Sequence, residues 1–252
     1  MNNARLLSTL STIGAPMIVP SESSSSHAAD EAHAAQVALE GGAIARARVT
    51  ASALGKLLSD PNDTGQAFLV GLATNAHRFP RFLARFVASE DGARLLREQP
   101  SIDSDHIDYD ALRALPATTL GGAYARFLDD RGLDPDIFQA PPGIPSMIAY
   151  ISKRVRQSHD LWHVLTGYDT DVRSELALQA FTWRVTGMPG SAMIAFGGAL
   201  RFGLSPGYRG VVREVLEGAR RGERAAFLPV VVWEDHFERP LTDVRRELGI
   251  EA

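Results

Sequence analysis

The stretch Ser158-His159-Asp160-Leu161-Trp162-His163 carries apolar and polar side chains at the spacing of one helix. Apolar residues recur before and within it at intervals of three and four, at Ile148, Ile151, Val155 and Trp162. Such intervals place side chains on one face of an α-helix. The pattern therefore predicts a helix that keeps its two histidines beside an apolar face rather than out in bulk water.

Two histidines and two carboxylates of this region have the chemistry of metal ligands. His159 and His163 are four residues apart and Asp160 flanks them, so that three side chains converge on one patch of the helix. Glu175 follows after eleven residues, and a turn ending at Gly167 would fold it back beside His163 as a fourth ligand. Such a set can hold a divalent zinc or iron-type ion. The spacing leaves open two interfacial histidines beside two solvated carboxylates.

Three cations precede the motif, at Lys153, Arg154 and Arg156. Cations next to a metal site could hold an anionic group of a substrate, and each of the three is a candidate. Isolated charges on a helix are otherwise solvated.

Composition narrows the class of protein. The 252 residues suffice for one large domain with a substantial core, and no internal repeat divides them. The formal net charge of -4 gives no electrostatic support for nucleic-acid binding. The absence of cysteine excludes disulfides and thiolate metal sites and fits a reducing compartment. No apolar run is long enough for a transmembrane helix, although peripheral membrane contact stays open.

The first 35 residues differ in composition from the rest. Residues 21–35 are rich in Ser and Ala, with four consecutive serines from position 23. So few apolar side chains predict a flexible segment over residues 1–35. Met1–Pro20 has neither the positive cluster nor the apolar run of a signal peptide.

Residues 36–252 read as a helical domain, and the fold class predicted is all-α. We expect a single-domain helical bundle with a metal site between two helices and an apolar groove. Ser89 and Thr118 or Thr119 are expected to begin helices, and Phe227–Trp233 is either strand-like or a buried helix.

Two later segments could contact a ligand or a membrane. Gly187–Gly207 is apolar and glycine-rich, which suits either a pocket for an apolar ligand or ordinary core. Gly210–Arg224 is basic and amphipathic, which suits either an anionic membrane surface or a solvated helix face.

Taken together these stretches resemble the coenzyme Q biosynthesis protein 4 family. The resemblance runs from about Asp60 to Ile250, and the His-Asp-x-x-His pattern followed after eleven residues by Glu is that family's metal signature. It includes the following segments: Asp60-Pro61 and Asp63-Thr64, Gly92 to Pro100, Leu115-Pro116 with Thr119 to Phe127, Trp233-Glu234 and Val244-Arg245.

The resemblance implies a divalent metal, usually taken as zinc, held by His159, Asp160, His163 and Glu175; iron or another transition metal would also fit these ligands. It implies an enzyme of ubiquinone biosynthesis that acts as a lyase on a polyprenylated aromatic acid, replacing the ring carboxylate by a hydroxyl in an oxidative decarboxylation. The same four residues would then be catalytic, and Arg154 and Arg156 match basic positions that could bind the substrate carboxylate.

The implied partners are a prenylated aromatic small molecule and other biosynthetic enzymes, with peripheral membrane contact and a homo-oligomer both left open and no nucleic acid. A bacterial member would lie in the cytoplasm or at the inner face of a membrane, and a eukaryotic member on the matrix side in mitochondria.

Three other readings compete with this enzyme. The first is a lipid-binding scaffold with a structural metal, and the second is a bacterial relative that acts on another aromatic natural product. The third is an H-D type phosphohydrolase, which ranks last because its additional upstream His and downstream Asp ligands are not identified here.

Overall fold

The computed structural model describes residues 22–59, 64–136 and 145–250. Helices are the regular elements of these ranges, in which no strand occurs, and this confirms the all-α prediction. In chain order the helices are α1 (Glu22–Glu40), α2 (Ala43–Ser59), α3 (Thr64–Asn75), α4 (Phe79–Val87), α5 (Glu90–Glu98), α6 (Tyr109–Ala114), α7 (Leu120–Arg131), α8 (Ser146–Thr166), α9 (Val172–Thr186), α10 (Pro189–Phe202), α11 (Val211–Arg224) and α12 (Leu241–Glu247).

The main core surrounds α8, which carries the histidine motif. Its apolar face packs against α7, α9 and the chain that follows α11. The fully buried members of this core include Leu120, Tyr124, Leu161, Trp162, Leu165, Leu178, Phe181 and Trp233. Ser158 is also buried, and its Oγ accepts a hydrogen bond from the Trp233 Nε1 at 2.9 Å. The predicted apolar stripe of the motif helix therefore faces the centre of the protein.

The predicted helix N-caps are confirmed where the capping side chain forms its hydrogen bond within its own helix. Ser89 and Thr119 each accept a hydrogen bond from the amide three residues later. Gly167 ends α8 in the left-handed conformation, at φ 74°, and donates its N–H to the His163 carbonyl. The predicted strand or helix at Phe227–Trp233 is wrong in both forms, because the chain there forms two short 3₁₀ segments, Leu228–Val230, which contains Pro229, and Trp233–Asp235.

Residues 22–35 lie in α1, and the flexibility expected over residues 1–35 stays a prediction. The segment is alanine-rich, and alanine has the highest helix propensity. Ala35 and Ala38 are buried in a cluster with Leu69 and Leu72 of α3. Small side chains thus make the helix and allow its close packing, whereas residues 1–21 lie outside the described ranges.

Helices α9 and α11 pack closely because α11 has glycine at the contact. A Cβ atom added at Gly218 would lie 2.2 Å from the Ala177 carbonyl oxygen, and one added at Gly222 would lie 2.5 Å from the Phe181 carbonyl oxygen. Backbone oxygens cannot move aside without shifting α9. The position of Glu175, which is on α9, therefore depends on these two glycines.

We expect Gly218→Ala to lower the free energy of unfolding by about 1–3 kcal/mol or more, because the added methyl group overpacks the contact. Gly197→Ala is the matched control, since a Cβ there meets nothing within 4 Å. In a helix interior that change should stabilise by roughly 0.5–1 kcal/mol. Chemical denaturation of both variants measures the difference. Equal stabilities would show that α9 and α11 can separate at little cost.

Candidate metal centre

Helices α8 and α9 bring the predicted ligands together across a short connection. Residues 167–171 join the two helices, and Asp171 caps α9 by accepting hydrogen bonds from the amides of Arg173 and Ser174. Glu175 then lies in the first turn of α9, facing the last turns of α8. The prediction that Glu175 folds back beside His163 is confirmed, with 3.2 Å between Glu175 Oε1 and His163 Nε2.

The carboxylate of Glu175 reaches both histidines. Its Oε2 lies 4.0 Å from His159 Nε2, and the two imidazole centroids are 4.8 Å apart. Asp160 completes the cluster from the other side, where its Oδ1 lies 3.9 Å from His159 Nδ1. Donor atoms of His159, Asp160 and His163 lie within 4.8 Å of one another. All four residues of the predicted ligand set thus share one site.

The imidazole of His163 is fixed in one orientation. Its side chain is 1% exposed, and its Nδ1 lies 3.1 Å from the Tyr168 carbonyl oxygen. A carbonyl only accepts hydrogen bonds, so Nδ1 carries a proton and Nε2, on the Glu175 side, is the nitrogen that could bind a metal. The Phe127 ring stacks on the imidazole at 5.3 Å between centroids, and the Arg131 guanidinium lies over the Phe127 ring. A histidine held in this way is typical of metal sites.

The last turn of α8 is capped by arginines from distant helices. Arg245 of α12 donates to the Leu165 and Val164 carbonyls at 2.8 and 2.9 Å, and Arg221 of α11 donates to the Thr166 carbonyl at 2.9 Å. Burial, with the neighbouring charge of Arg221, lowers the pKa of Arg245. Cations at a helix C-terminus satisfy its free carbonyls and complement its dipole. These contacts fix the turn that carries His163.

The donor set fits a divalent transition metal. It offers two nitrogens and two carboxylates, which zinc and iron-type ions accept in mixed sites. His159 and Asp160 are about one-fifth exposed, at 22% and 19%, and Glu175 is 36% exposed. The site is thus buried on the His163 side and reachable on the Glu175 side, where water or a substrate oxygen could enter.

Gln179 also belongs to the site, although no prediction included it. It lies four residues after Glu175 on the same face of α9, and its Nε2 is 3.4 Å from His159 Nε2. The helical spacing from Glu175 is a signal that could have found it. A search limited to charged and imidazole ligands does not consider an amide.

The two arginines predicted to bind substrate lie in different surroundings. Arg156 is on the motif face of α8. Desolvation by the surrounding protein atoms lowers the pKa of its guanidinium and outweighs the raising effect of the Asp160 and Glu175 carboxylates, although the side chain is exposed to solvent. Arg154 is 1% exposed, and both terminal nitrogens bind Glu234 at 2.7 Å. Substrate binding by either arginine stays a prediction.

An exposed apolar surface lies beside α9. It is formed by α10, the connection that follows it and the first half of α11. Its exposed residues are Met193, Ile194, Phe196, Leu200, Leu204, Val212 and Leu216. The small residues Ala195 and Ala199 face inward, and a Cβ at Gly198 would be 2.3 Å from Leu176. Trp183, two turns after Glu175, contacts Phe196 edge-to-face at 5.5 Å. This ring contact connects α9, which carries Glu175, to the apolar surface.

Comparison with known proteins gives one consistent family. Residues 39–252 match the family model described as coenzyme Q (ubiquinone) biosynthesis protein Coq4. The mitochondrial ubiquinone biosynthesis protein COQ4 homolog of Drosophila ananassae is 34% identical over 199 residues, covering 77% of this chain and 73% of that protein. The Mus musculus homolog is 30% identical, covering 80% and 76% respectively.

A solved structure supports the fold independently. The crystal structure of a candidate ubiquinone biosynthesis protein from Nostoc punctiforme PCC 73102 matches with a TM-score of 0.65 at 23% identity. The match covers 82% of this chain and 97% of that one. At this identity the likeness shows the fold alone.

Proposed function

Because the chain belongs to the coenzyme Q (ubiquinone) biosynthesis protein Coq4 family, we propose that it acts in ubiquinone biosynthesis as a metal-dependent oxidative decarboxylase. The substrate would be a polyprenylated aromatic acid, whose ring carboxylate is replaced by a hydroxyl. The observation that carries the proposal is the convergence of His159, Asp160, His163 and Glu175 at one partly open site between α8 and α9.

The surroundings of the site suit such a substrate. The polar head group would lie at the open side of Glu175, where Arg156 could pair with the carboxylate. Between the two predicted arginines Arg156 is the better candidate, because its side chain is exposed on the motif face of α8, whereas the Arg154 side chain is 1% exposed. The prenyl tail would pass Trp183 and Phe196 to the apolar surface of α10. The head group and the prenyl tail of the substrate would then lie at opposite ends of one continuous path.

The chemistry assigns separate roles to protein and metal. A divalent metal on this donor set would act as a Lewis acid on the carboxylate or phenolate oxygen. Replacing the carboxylate by a hydroxyl requires an oxygen atom. The acid, dioxygen, two electrons and two protons together give the phenol, CO₂ and water. The Tyr168 carbonyl would orient His163 through its Nδ1, and the Glu175 carboxylate lies beside the Nε2 atoms of both histidines.

The test is turnover of a prenylated hydroxybenzoate-type acid by metal-loaded protein under air, with an electron donor and mass spectrometry. We expect the carboxylate to be replaced by hydroxyl, and isotope from labelled dioxygen to enter the product. Glu175→Gln should lose this activity, whereas Glu217→Gln, on the exposed part of α11, should keep it. Substrate that binds without conversion would contradict the enzyme.

A scaffold is the second candidate, and the exposed apolar surface favours it because a non-catalytic lipid carrier needs the same surface. In that case the metal would be structural. Loss of folding in Glu175→Gln would support the scaffold, whereas loss of turnover in a folded variant would support catalysis.

Membrane contact is part of the same proposal, since a prenylated substrate dissolves in a bilayer. None of the helices in the described ranges has the length and apolarity needed to cross a membrane. Leu200 and Leu204 are 80% and 94% exposed, and Arg201, Arg209 and Arg213 are exposed near them. We propose that this surface lies on anionic lipid, on the matrix side in mitochondria or at the inner face of a bacterial membrane.

We expect the double change Leu200→Asp and Leu204→Asp to weaken binding to anionic vesicles by at least about tenfold, because burying each leucine is worth roughly 1.5–3 kcal/mol. Vesicle co-sedimentation measures the loss. Ile44→Asp, at a 74% exposed position on α2, is the control and should bind like the unaltered protein. Equal binding by all three proteins would exclude the α10 surface as the contact.

A further inference from the structure

We propose that α10 lies flat on an anionic membrane, and that Arg78, just before α4, and Arg81 bind lipid headgroups beside its first turn. The inference deepens the membrane contact of the proposed function, on which it rests. That contact involves the exposed apolar surface and the exposed arginines near its far end, which are Arg201, Arg209 and Arg213. The two arginines of α4 are a second group of cations, at the opposite end of α10.

One side of α10 is apolar and open along most of its length. Met193, Gly197, Leu200 and Leu204 recur at intervals of three and four residues, which places them on one side of the helix. The three large side chains are 56%, 80% and 94% exposed, and a Cβ added at Gly197 would meet nothing within 4 Å. At a rise of 1.5 Å per residue this apolar stripe is about 17 Å long. It could therefore touch lipid at one end or along its whole length.

The end of α3 borders this stripe at the start of α10. Gly190 lies three residues before Met193 on the same side of the helix, and its N–H donates to the Asn75 Oδ1 at 2.8 Å. A Cβ added at Gly190 would lie 2.7 Å from the Thr74 Oγ1. Since the chain continues from Asn75 directly to Arg78, the start of α4 lies beside the first turn of α10.

The arginines of α4 lie on the side of that helix toward the start of α10. Arg78, Arg81 and Arg85 are three and four residues apart and therefore share one side. The Arg85 Nη1 donates to the Val185 carbonyl at 3.2 Å, just before the turn that leads into α10. The Arg85 guanidinium also lies over the Phe227 ring at 4.0 Å. Arg85 is thus fixed by the protein, whereas Arg78 and Arg81 are exposed to solvent.

The charge of this region favours an anionic partner. Residues 64–88 contain three arginines and neither aspartate nor glutamate, although the whole chain has a formal net charge of -4. Within the ranges that the structure describes, neither Arg78 nor Arg81 pairs with a carboxylate. Guanidinium groups bind phosphate well, and anionic lipids attract cations near the membrane surface. Because the apolar stripe adjoins these two arginines, lipid headgroups fit them better than an acidic protein does.

Cations at both ends of the stripe determine the orientation of α10. A helix at a membrane surface buries its apolar side among the acyl chains and keeps its cations among the headgroups. The arginines of α4 and those near Leu204 reach the headgroups together only if the axis of α10 runs parallel to the surface. A protein that touched lipid through Leu204 alone would leave Met193 in water.

The first test is vesicle co-sedimentation of the full chain carrying Arg78→Gln and Arg81→Gln. We expect binding to vesicles of phosphatidylcholine and phosphatidylserine to weaken by about tenfold or more, because each arginine adds to the attraction by an anionic surface. Binding to phosphatidylcholine alone should not change. The control, Arg126→Gln with Arg246→Gln, removes the same charge from exposed positions on α7 and α12 and should bind like the unaltered protein.

The second test measures depth in the bilayer, for which the absence of cysteine from the chain allows labelling at single sites. A fluorescent label is attached to each of the variants Met193→Cys, Leu204→Cys and Ile44→Cys. Lipids that carry a quencher at a known depth then report how far each label enters the bilayer. We expect the labels at positions 193 and 204 to reach similar depths, and the label at position 44 on α2 to stay in water.

The outcomes separate this inference from the membrane contact on which it rests. If only the label at position 204 enters lipid, α10 is tilted, and the inference is overturned while the contact stands. If the arginine variant binds anionic vesicles as the unaltered protein does, α4 does not bind headgroups, which is the result expected of arginines that contact an acidic protein. If the unaltered chain binds no vesicles, the contact and the inference fail together. Circular dichroism of each variant verifies that the fold is retained.

Discussion

The double variant His159→Asn with Glu175→Gln is expected to purify without metal, whereas the unaltered chain should hold one divalent ion. Structural zinc sites contribute about 10–16 kcal/mol through four ligands, so each ligand is worth roughly 3 kcal/mol, or about a hundredfold in affinity. Losing two ligands should remove binding at micromolar concentrations. Both side chains are partly exposed, so the fold should persist. Elemental analysis after gentle purification gives the stoichiometry.

Thermal unfolding provides the control for that experiment. A ligand that binds only the folded state stabilises it by about 2.7 kcal/mol at one hundred times its dissociation constant. A chelator should therefore lower the Tm of the unaltered protein and leave the Tm of the double variant unchanged. A chelator effect of equal size on both proteins would place the metal elsewhere, and no metal in the unaltered protein would remove the site.

Glu234→Gln is expected to destabilise the protein by about 3–5 kcal/mol, because it leaves the buried Arg154 charge without its partner. The guanidinium is 1% exposed, and both its terminal nitrogens bind the Glu234 carboxylate. Its remaining contacts, to the Pro100 and Val231 carbonyls, are long, at 3.5 and 3.4 Å. Denaturant unfolding measures the change.

Two further variants separate the cost of the unpaired charge from the value of the pair. Adding Arg154→Met to Glu234→Gln should recover most of the loss, because the methionine removes the unpaired buried charge. Glu247→Gln removes the partner of Arg239 at an exposed site and should cost only about 0–1 kcal/mol. Equal costs for Glu234→Gln and Glu247→Gln would mean that solvent reaches Arg154.

The motif helix and the site could be predicted from the sequence because their signals are local. His159 and His163 share a face through helical spacing alone, and Gly167 marks the end of α8. Glu175 lies beside His163 because the connection between α8 and α9 is too short to place it elsewhere. The family resemblance added the expectation that all four residues act together, and the structure brings them to one place.

What the sequence could not show depends on contacts between distant segments. Arg154 and Arg156 look alike in the sequence, and the burial of Arg154 follows from pairing with Glu234, eighty residues later. The apolar pattern of α10 did not show which face of that helix is buried. At Gly198 helix α10 lies so close to Leu176 that this face has room only for small residues. Ala195 and Ala199 therefore face inward, and the large apolar residues face outward.

The arginine caps on α8 have a consequence for the order in which the protein matures during synthesis. The turn that carries His163 is held by Arg221 and Arg245, which the ribosome adds 58 and 82 residues after it. A nascent chain whose four ligand residues have already emerged from the ribosome would still lack the contacts that fix their geometry. Metal loading is therefore expected only after Arg245 has left the ribosome, and chains that stop before residue 245 should be degraded in the metal-free form.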